Sequence, residues 1–220
     1  MNVAFWKCWD RRVLMLFGVA LAVRAVYLWQ YLHSPLFGHY AVDHAYYRDW
    51  ALRIAAGDWL GGAVFDKGPL YPYLLGVVYS LIGPQDGWVL AGQMLLGATL
   101  PVWLYLCGQR LFGDRIARQG RGQSELPLGP KSTQSSITRP ANNVAWVAGL
   151  CSAVYGPLLY YECMIMKTFL LPLLLMILLY AGLRYGESLR TGWLGLAGIA
   201  TGLMCLVQEN HLLLWLPAAA

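Results

Sequence analysis

Residues 13–32 read VLMLFGVALAVRAVYLWQYL, an apolar stretch in which Arg24 is the only charged side chain. Its length is about the 20 residues that a helix needs to cross the hydrocarbon core of a bilayer, and it is longer than a typical signal-peptide core. The basic residues Lys7, Arg11 and Arg12 precede it. We therefore expect an uncleaved signal-anchor helix, with cleavage of a signal peptide as the alternative.

The composition extends this prediction to the whole chain. Hydrophobic residues make up 58% of the sequence and charged residues 12%, about half the charged share of a soluble domain. The five cysteines include no C-x-x-C pair, so neither a disulfide framework nor a zinc site is indicated. Further apolar segments lie at 88–109, 144–160, 164–183 and 192–207, and another begins at His211. We predict an all-α fold, a polytopic transmembrane helix bundle that forms a single domain over residues 1–220.

The distribution of basic residues predicts the orientation of this bundle. Segment 70–82 is only 13 residues long, and runs of that length are more often re-entrant or interfacial than spanning. If it does not cross, segments 1–12, 110–143 and 184–191 share one side and carry 11 of the 16 Lys and Arg residues. The positive-inside rule assigns that side, with the N-terminus, to the cytoplasm. The net charge of +5 therefore indicates orientation rather than a nucleic-acid partner.

Two segments differ from the apolar pattern. Residues 119–143 are polar and contain Gly, Pro and Ser without periodicity, which predicts a disordered cytoplasmic connection. The apolar run that starts at His211 extends for about nine residues, or about 13 Å of helix, less than half of a bilayer core of about 30 Å. We therefore expect the chain to be the N-terminal part of a larger protein.

Residues 43–73 form a charged and aromatic loop between apolar segments. After Asp43, the residues Tyr47, Trp50, Ala51 and Ile54 recur at i, i+3, i+4 and i+7. This spacing predicts an amphipathic helix that lies in the membrane interface and ends at a glycine, residue 57. An aspartate directly before such a helix is a good N-cap. Capping and a functional role therefore both remain open for Asp43, and they can coexist.

The cations of the same loop are candidate ligands for a phosphate. Lys67, together with Arg48 or Arg53, is expected to bind the phosphate of a lipid-linked substrate at the membrane edge. The alternative is ordinary snorkelling of Lys67 to lipid headgroups. The tyrosines of the loop, Tyr46 among them, fit an interfacial belt, and their rings can also stack on sugar faces.

Two ionisable residues fall at membrane depth. Glu162 lies in a corner between two apolar segments, where a carboxylate is costly and is a functional candidate by default. An ion pair with Lys167 is its structural alternative. Arg24 lies too deep in the first span to reach water fully, so we expect it to pair with a carboxylate in the bundle or to face a wet cavity.

Several of these residues resemble those of a known enzyme family. The basic N-terminus, the arginine inside the first span, Asp43 in the first outer loop and the sequence DKGPLYPY at 66–73 resemble the GT-C glycosyltransferases. The nearest branch is that of the bacterial relatives of protein O-mannosyltransferases and lipid A aminoarabinose transferases. The resemblance covers nearly all of the chain outside 119–143, and corresponds to the N-terminal part of such an enzyme.

The resemblance implies an inverting enzyme that moves a sugar from a polyprenyl-phosphate donor to a lipid, glycan or protein acceptor at the outer face of a bacterial inner membrane. It implies that Asp43 is the catalytic base. The substrate-binding residues that follow from it and from the loop are Asp66, Lys67, Arg48, Glu162 and Tyr46. Asp66 and Glu162 would orient the acceptor or hold an optional divalent cation, and no other cofactor is implied.

Two further functions are compatible with these residues. The first is a non-catalytic membrane protein, such as a transporter or flippase subunit for a lipid-linked glycan, which would have ionisable residues in the middle of several spans. The second is an inactive glycosyltransferase fragment. Because Arg24 is the deep charge and the other charges cluster at one face, the sequence favours chemistry at the membrane surface.

Overall fold

The computed structural model describes residues 11–60, 67–123, 132–208 and 210–211, with 113–123 and 132–142 described by their backbone alone. Every regular element in these residues is helical, which confirms the predicted all-α class. The helices in chain order are α1 (Arg11–Leu32), α2 (Asp43–Ala55), α3 (Leu70–Ile82), α4 (Asp86–Gly97), α5 (Leu100–Gln123), α6 (Ser132–Ala153), α7 (Gly156–Glu162), a short 3-10 helix (Lys167–Phe169), α8 (Leu170–Ser188) and α9 (Thr191–Val207).

Three helical stretches of the described residues are long and apolar enough to cross a membrane: Arg11–Leu32, Asp86–Phe112 and Lys167–Ser188. A fourth crossing results if Asn143–Ala153 and Gly156–Glu162, which meet at a bend of 49°, form one span. These stretches coincide with the predicted segments and are those expected of a membrane protein. The predicted span at 192–207 is present as α9, but its 17 residues make it, like α3, one of the shorter apolar helices.

Residues that disfavour helix continuation lie at the ends of the elements. Gly57 adopts φ +100 after α2, as the sequence predicted, and Gly83 adopts φ +80 after α3. Pro157 stands in the first turn of α7, where a missing N–H is tolerated but where continuation from α6 would lose a hydrogen bond. The bend between α6 and α7 therefore has a local cause in the sequence.

The polar segment 119–143 differs from its prediction as a disordered connection. Helix α5 continues to Gln123 and α6 begins at Ser132, and residues 124–131 lie outside the described part of the chain. A helix that a packed apolar span has already nucleated gains one hydrogen bond for each added residue. Arg and Gln are also good helix formers, so low hydrophobicity alone does not end these helices.

Two groups of buried side chains hold the helices together. The larger group joins α2, α3, α4, α8 and α9 and contains the rings of Tyr47, Tyr71 and Tyr79. The smaller group joins α1, α5 and α6 around Leu16 and Tyr105. The first group positions α2 beside the ends of the long helices, and the candidate site lies on α2.

The buried face of α2 is the one that the sequence predicted. Tyr47, Trp50, Ala51 and Ile54 are its buried residues, and they pack toward α3. The two helices approach closely at Gly76, where an added Cβ would lie 2.7 Å from Cγ2 and 2.8 Å from Cβ of Ile54. The amphipathic helix is confirmed, whereas its position in a membrane interface stays a prediction.

Replacement of Gly76 by Ala should separate α2 from α3, because the new methyl group overlaps the branched Ile54 side chain. We expect a loss of about 1–3 kcal/mol in the free energy of unfolding, measured by denaturant titration in mixed micelles. Gly92→Ala is the control, since nothing lies within 4 Å of its added Cβ. Equal stability of the two variants would contradict the close packing of α2 on α3.

Candidate functional site

Asp43 is the first residue of α2 and does not cap the helix. The residue at the N-cap is Val42, with φ 49 and ψ −109, and no side chain makes a capping hydrogen bond. The carboxylate of Asp43 instead accepts a hydrogen bond from Lys67, with 2.5 Å between Oδ1 and Nζ. The capping alternative is therefore not found, and the structure brings together two of the predicted site residues.

The ammonium group of Lys67 also lies against two aromatic rings. Its Nζ is 4.7 Å from the ring centroid of Tyr46 and 5.6 Å from that of Tyr47, within the range of cation–π contacts. Asp43, Tyr46 and Tyr47 stand at i, i+3 and i+4 and so share one face of α2. The Lys67 and Asp43 side chains remain 30% and 42% exposed, so a ligand can reach the pair.

Gly68 explains how Lys67 reaches α2. A Cβ atom at Gly68 would collide with the main-chain carbonyl groups of Leu206 and Val207, so the 67–68 segment lies directly against the last turn of α9. The carbonyl groups of a last helical turn have no partner within the helix and form the negative end of its dipole. In the sequence, the only local signal for this contact is the small residue between Lys67 and Pro69.

Arg48, which was predicted to act with Lys67, is held by a different carboxylate. Its Nε donates to Oδ2 of Asp86 at 2.9 Å, and Tyr40 donates its hydroxyl to the same oxygen at 2.7 Å. Tyr79 donates to the other oxygen, Oδ1. The Asp86 side chain is only 10% exposed. It therefore joins α4 to α2, to α3 and to the segment before α2.

The sequence reasoning missed this role of Asp86. An acidic residue that opens an apolar helix is accounted for by the helix dipole, and Asp86 is in the first turn of α4, so nothing local set it apart. Burial and the hydrogen bond to Asp86 raise the pKa of Tyr40. Its hydroxyl group therefore stays protonated and keeps donating at neutral pH.

Glu162 is buried in an ion pair with Arg24. Oε2 lies 2.7 Å from Nε and Oε1 lies 2.8 Å from Nη2, so the contact is bidentate. Arg24 is 0% and Glu162 3% exposed. The prediction that Arg24 pairs with a carboxylate is confirmed, and the ion-pair partner of Glu162 is Arg24 rather than Lys167. None of the hydrogen bonds of Glu162 within the described residues reaches α2 or Lys67.

A divalent cation does not fit Glu162, because both carboxylate oxygens face the guanidinium charge of Arg24. Among the residues that the structure describes, no group of three or more His, Cys, Asp or Glu side chains is arranged to hold a metal ion. The other predicted cation ligand, Asp66, lies outside the described residues. Neither predicted ligand is therefore shown to bind a cation.

A chain of polar contacts connects the corner at Glu162 with the site. Gln93 donates through Nε2 to the main-chain oxygens of Glu162, at 3.0 Å, and Met164, at 2.8 Å. Tyr71 donates its hydroxyl to Oε1 of Gln93 at 2.8 Å. The ring of Tyr71 meets that of Tyr47 edge-on, with centroids 5.6 Å apart. The buried Arg24–Glu162 pair is thus connected to the face of α2 against which Lys67 lies.

A cavity of ≈ 220 Å³ has Glu162 among its lining residues. Its walls are mainly apolar and come from the α4–α5 junction, from α7 and from the start of α8, with Phe169 and Pro172 among the lining residues. No lining residue belongs to α2 or to the segment at Lys67. The cavity is therefore separate from the Asp43–Lys67 pair.

Comparison of the chain with family models, with curated proteins and with solved structures finds no match. The functional argument therefore depends on the residues and the geometry described above.

Replacement of Glu162 by Gln should leave the Arg24 charge buried without a counter-charge. We expect a loss of about 3–5 kcal/mol in the free energy of unfolding, measured by denaturant titration in mixed micelles. The double replacement of Arg24 and Glu162 by Leu should cost less free energy of unfolding than the single replacements Arg24→Leu and Glu162→Leu added together, because it removes both charges. Glu187→Gln, in a half-exposed pair, should cost at most about 1 kcal/mol. If the losses in the free energy of unfolding add up in the double variant, Arg24 and Glu162 are not energetically coupled.

His44, next to Asp43, should make stability depend on pH. Burial lowers the pKa of His44, and the charge of Asp43 offsets part of that effect. The unfolded chain then binds the proton more tightly than the folded chain, so stability should fall as the pH drops below about 6.5.

The measurement is the thermal midpoint in detergent between about pH 7.5 and pH 5.5, where His44→Gln should reduce the decline. His39→Gln is the matched control, since His39 is an exposed histidine before α2. Parallel curves for wild type and His44→Gln would show that His44 does not contribute to the pH dependence.

Proposed function

We propose that the chain is a membrane glycosyltransferase of the GT-C type. It would move a sugar from a polyprenyl-phosphate donor to a lipid, glycan or protein acceptor at the outer face of a bacterial inner membrane. The observation that carries the proposal is the accessible Asp43–Lys67 pair on the aromatic face of α2. A carboxylate and an ammonium group held together are the base and the phosphate ligand that such a transfer needs.

In the proposed mechanism, Asp43 accepts the proton of the acceptor hydroxyl while the hydroxyl oxygen attacks the anomeric carbon from the face opposite the phosphate. The new carbon–oxygen bond forms as the bond to the phosphate oxygen breaks, so the configuration inverts. The electron pair of that bond leaves with the polyprenyl phosphate. Lys67 stabilises the charge that develops there.

The resting contact between Asp43 and Lys67 fits this order of events. While the ammonium group binds the carboxylate at 2.5 Å, that carboxylate oxygen is not available to a hydroxyl group. A donor phosphate competes for the ammonium group and thereby releases Asp43 to act as base. Tyr46, 4.7 Å from Lys67 Nζ, would keep the ammonium group near α2 and offer a ring face to the sugar.

Arg48 has a narrower role in this proposal than the sequence suggested. Asp86 engages its Nε, while the side chain stays 27% exposed. The guanidinium group therefore contributes positive charge near the donor phosphate from a fixed position. Asp66 keeps its predicted place beside Lys67 as an expectation, and Glu162 contributes through the support of α7 rather than through contact with substrate.

The proposed orientation is supported by the ends of the long helices. Arg11 and Arg12 begin α1, and Arg110 and Arg184 lie near the ends of the stretches Asp86–Phe112 and Lys167–Ser188. With the bent pair α6–α7 as one span and α3 not crossing, these arginines share one side and α2 lies on the other. The positive-inside rule then predicts a cytoplasmic N-terminus and an outer α2.

The non-catalytic alternative, a transporter or flippase subunit, would use ionisable residues that face a wet path through the membrane. Arg24 and Glu162 are the buried charges that raise this possibility, and each satisfies the other away from solvent. The accessible Asp43–Lys67 pair lies instead on α2 and next to it. The geometry therefore supports surface chemistry better than passage through the bundle.

The test is transfer of labelled sugar from polyprenyl-phosphate donors in membranes that contain the chain. Asp43→Asn should lower turnover by about 10²- to 10⁴-fold, because the general base is lost, without reducing membrane insertion. Asp49→Asn, on the exposed face of the same helix, should retain wild-type turnover. Wild-type activity of Asp43→Asn would remove Asp43 from the mechanism, and absence of transfer by inserted wild-type chain would contradict catalysis by this chain alone.

A further inference from the structure

A cluster of charged side chains joins α5 and α8 at the end of the bundle opposite α2. Nε of Arg110 lies 3.1 Å from Oε1 of Glu187, and Nη1 of Arg184 donates to Oε2 at 2.9 Å. Two guanidinium groups thus share one carboxylate, which leaves the cluster with a net positive charge. The exposed Arg190, directly before α9, adds a further positive charge to this end of the bundle.

Aromatic rings hold both guanidinium groups in place. Arg110 Cζ is 4.6 Å from the ring centroid of Tyr180, and Arg184 Cζ is 5.2 Å from that of Trp193. The two rings contact each other, with centroids 5.9 Å apart. Stacked guanidinium groups lose less conformational entropy when they bind an acceptor. The cluster is therefore a preorganised donor surface.

The hydrogen bonds of the cluster leave donor capacity for a ligand. Arg110 forms an ion pair with Glu187 and donates hydrogen bonds to the main-chain oxygen of Leu106 and to the hydroxyl of Tyr180. Arg184 donates to Glu187 through Nη1, which leaves its Nη2 for a further acceptor. Its side chain is 33% exposed, so Arg184 and Arg190 are the cations that an anion can reach.

The position of the cluster indicates the source of that anion. Arg110 and Arg184 lie near the ends of two stretches that are long and apolar enough to cross a membrane. Tyrosine and tryptophan prefer the level of the lipid headgroups, and both kinds of ring are part of the cluster. The nearest phosphate oxygens at that level are those of phospholipids.

We propose that Arg184, held by Trp193 and Glu187, acts with the exposed Arg190 to bind the phosphate headgroup of an anionic phospholipid such as phosphatidylglycerol. Nη2 of Arg184 and the guanidinium group of Arg190 are the donors available to the phosphate oxygens. The net positive charge favours an anionic headgroup over a zwitterionic one. Glu187 orients the guanidinium groups of Arg110 and Arg184. At the same time its negative charge weakens the attraction of the cluster for an anionic lipid. This inference is independent of the proposed sugar transfer.

The experiment uses the full chain in mild detergent and native mass spectrometry, with dioleoyl phosphatidylglycerol and dioleoyl phosphatidylcholine as probes. Wild type should retain the anionic lipid in preference. Arg184→Gln and Arg190→Gln should each weaken its binding about fivefold, and Glu187→Gln should strengthen it by about the same factor. Binding of the zwitterionic lipid should not change in any variant.

The matched control is Arg53→Gln, an exposed arginine on α2 at the other end of the bundle, which should leave lipid binding unchanged. An equal loss in Arg53→Gln would show general attraction to surface cations and overturn the proposal. Weaker binding in Glu187→Gln would also overturn it. Displacement of the lipid by millimolar inorganic phosphate would identify a site for free phosphate instead, because a bound lipid is also anchored by its chains.

Discussion

The arrangement of the helices depends on the need to satisfy two charges in an apolar interior. Arg24 and Glu162 would each be strongly unfavourable alone at their depth, and their bidentate contact, with the carbonyl groups of Ala20 and Ala153 as further acceptors, satisfies both. The pair fastens α1 to α7 and to the end of α6. Helix α4 must also fit closely, since a Cβ at Gly97 would overlap the carboxylate of Glu162. Four segments of the chain therefore meet at one ion pair.

The candidate site is built outward from that point by direct contacts. Gln93 receives the hydroxyl of Tyr71 and donates to the backbone at Glu162, and Tyr71 supports the ring of Tyr47, against which Lys67 lies. The contacts from Glu162 to Tyr47 are between neutral groups or rings, and the Tyr47 ring meets Lys67 through a cation–π contact, so none of them neutralises the Lys67 charge. The interior fixes the position of α2, while the carboxylate and ammonium groups at its start remain accessible. A rigid support under exposed charges is the arrangement expected of a site that orients a reaction.

Local periodicity was sufficient to predict α2, because its buried stripe and its terminal glycine depend on neighbouring residues alone. Hydropathy likewise predicted the long helices. For Arg24 the kind of partner was predictable, since a charge inside a span must be neutralised, but its identity was not, because Glu162 is 138 residues away. Asp86 was missed for the same reason: its partners come from three other segments. Composition did not predict the helical residues 119–123 and 132–143, where helices that begin in packed segments continue into polar sequence.

The backbone conformation of Val42 affects the direction in which the Asp43 carboxylate points. A β-branched residue at φ 49 is strained by about 1–3 kcal/mol, and the Val42 side chain is 86% exposed, so its own burial does not offset that strain. Two contacts hold the segment from either side, Tyr40 on Asp86 and Asp43 on Lys67. These two contacts therefore hold Val42 in its strained conformation. Strain at Val42 acts against the Asp43–Lys67 contact, so the direction of the Asp43 carboxylate depends on that contact as well as on α2.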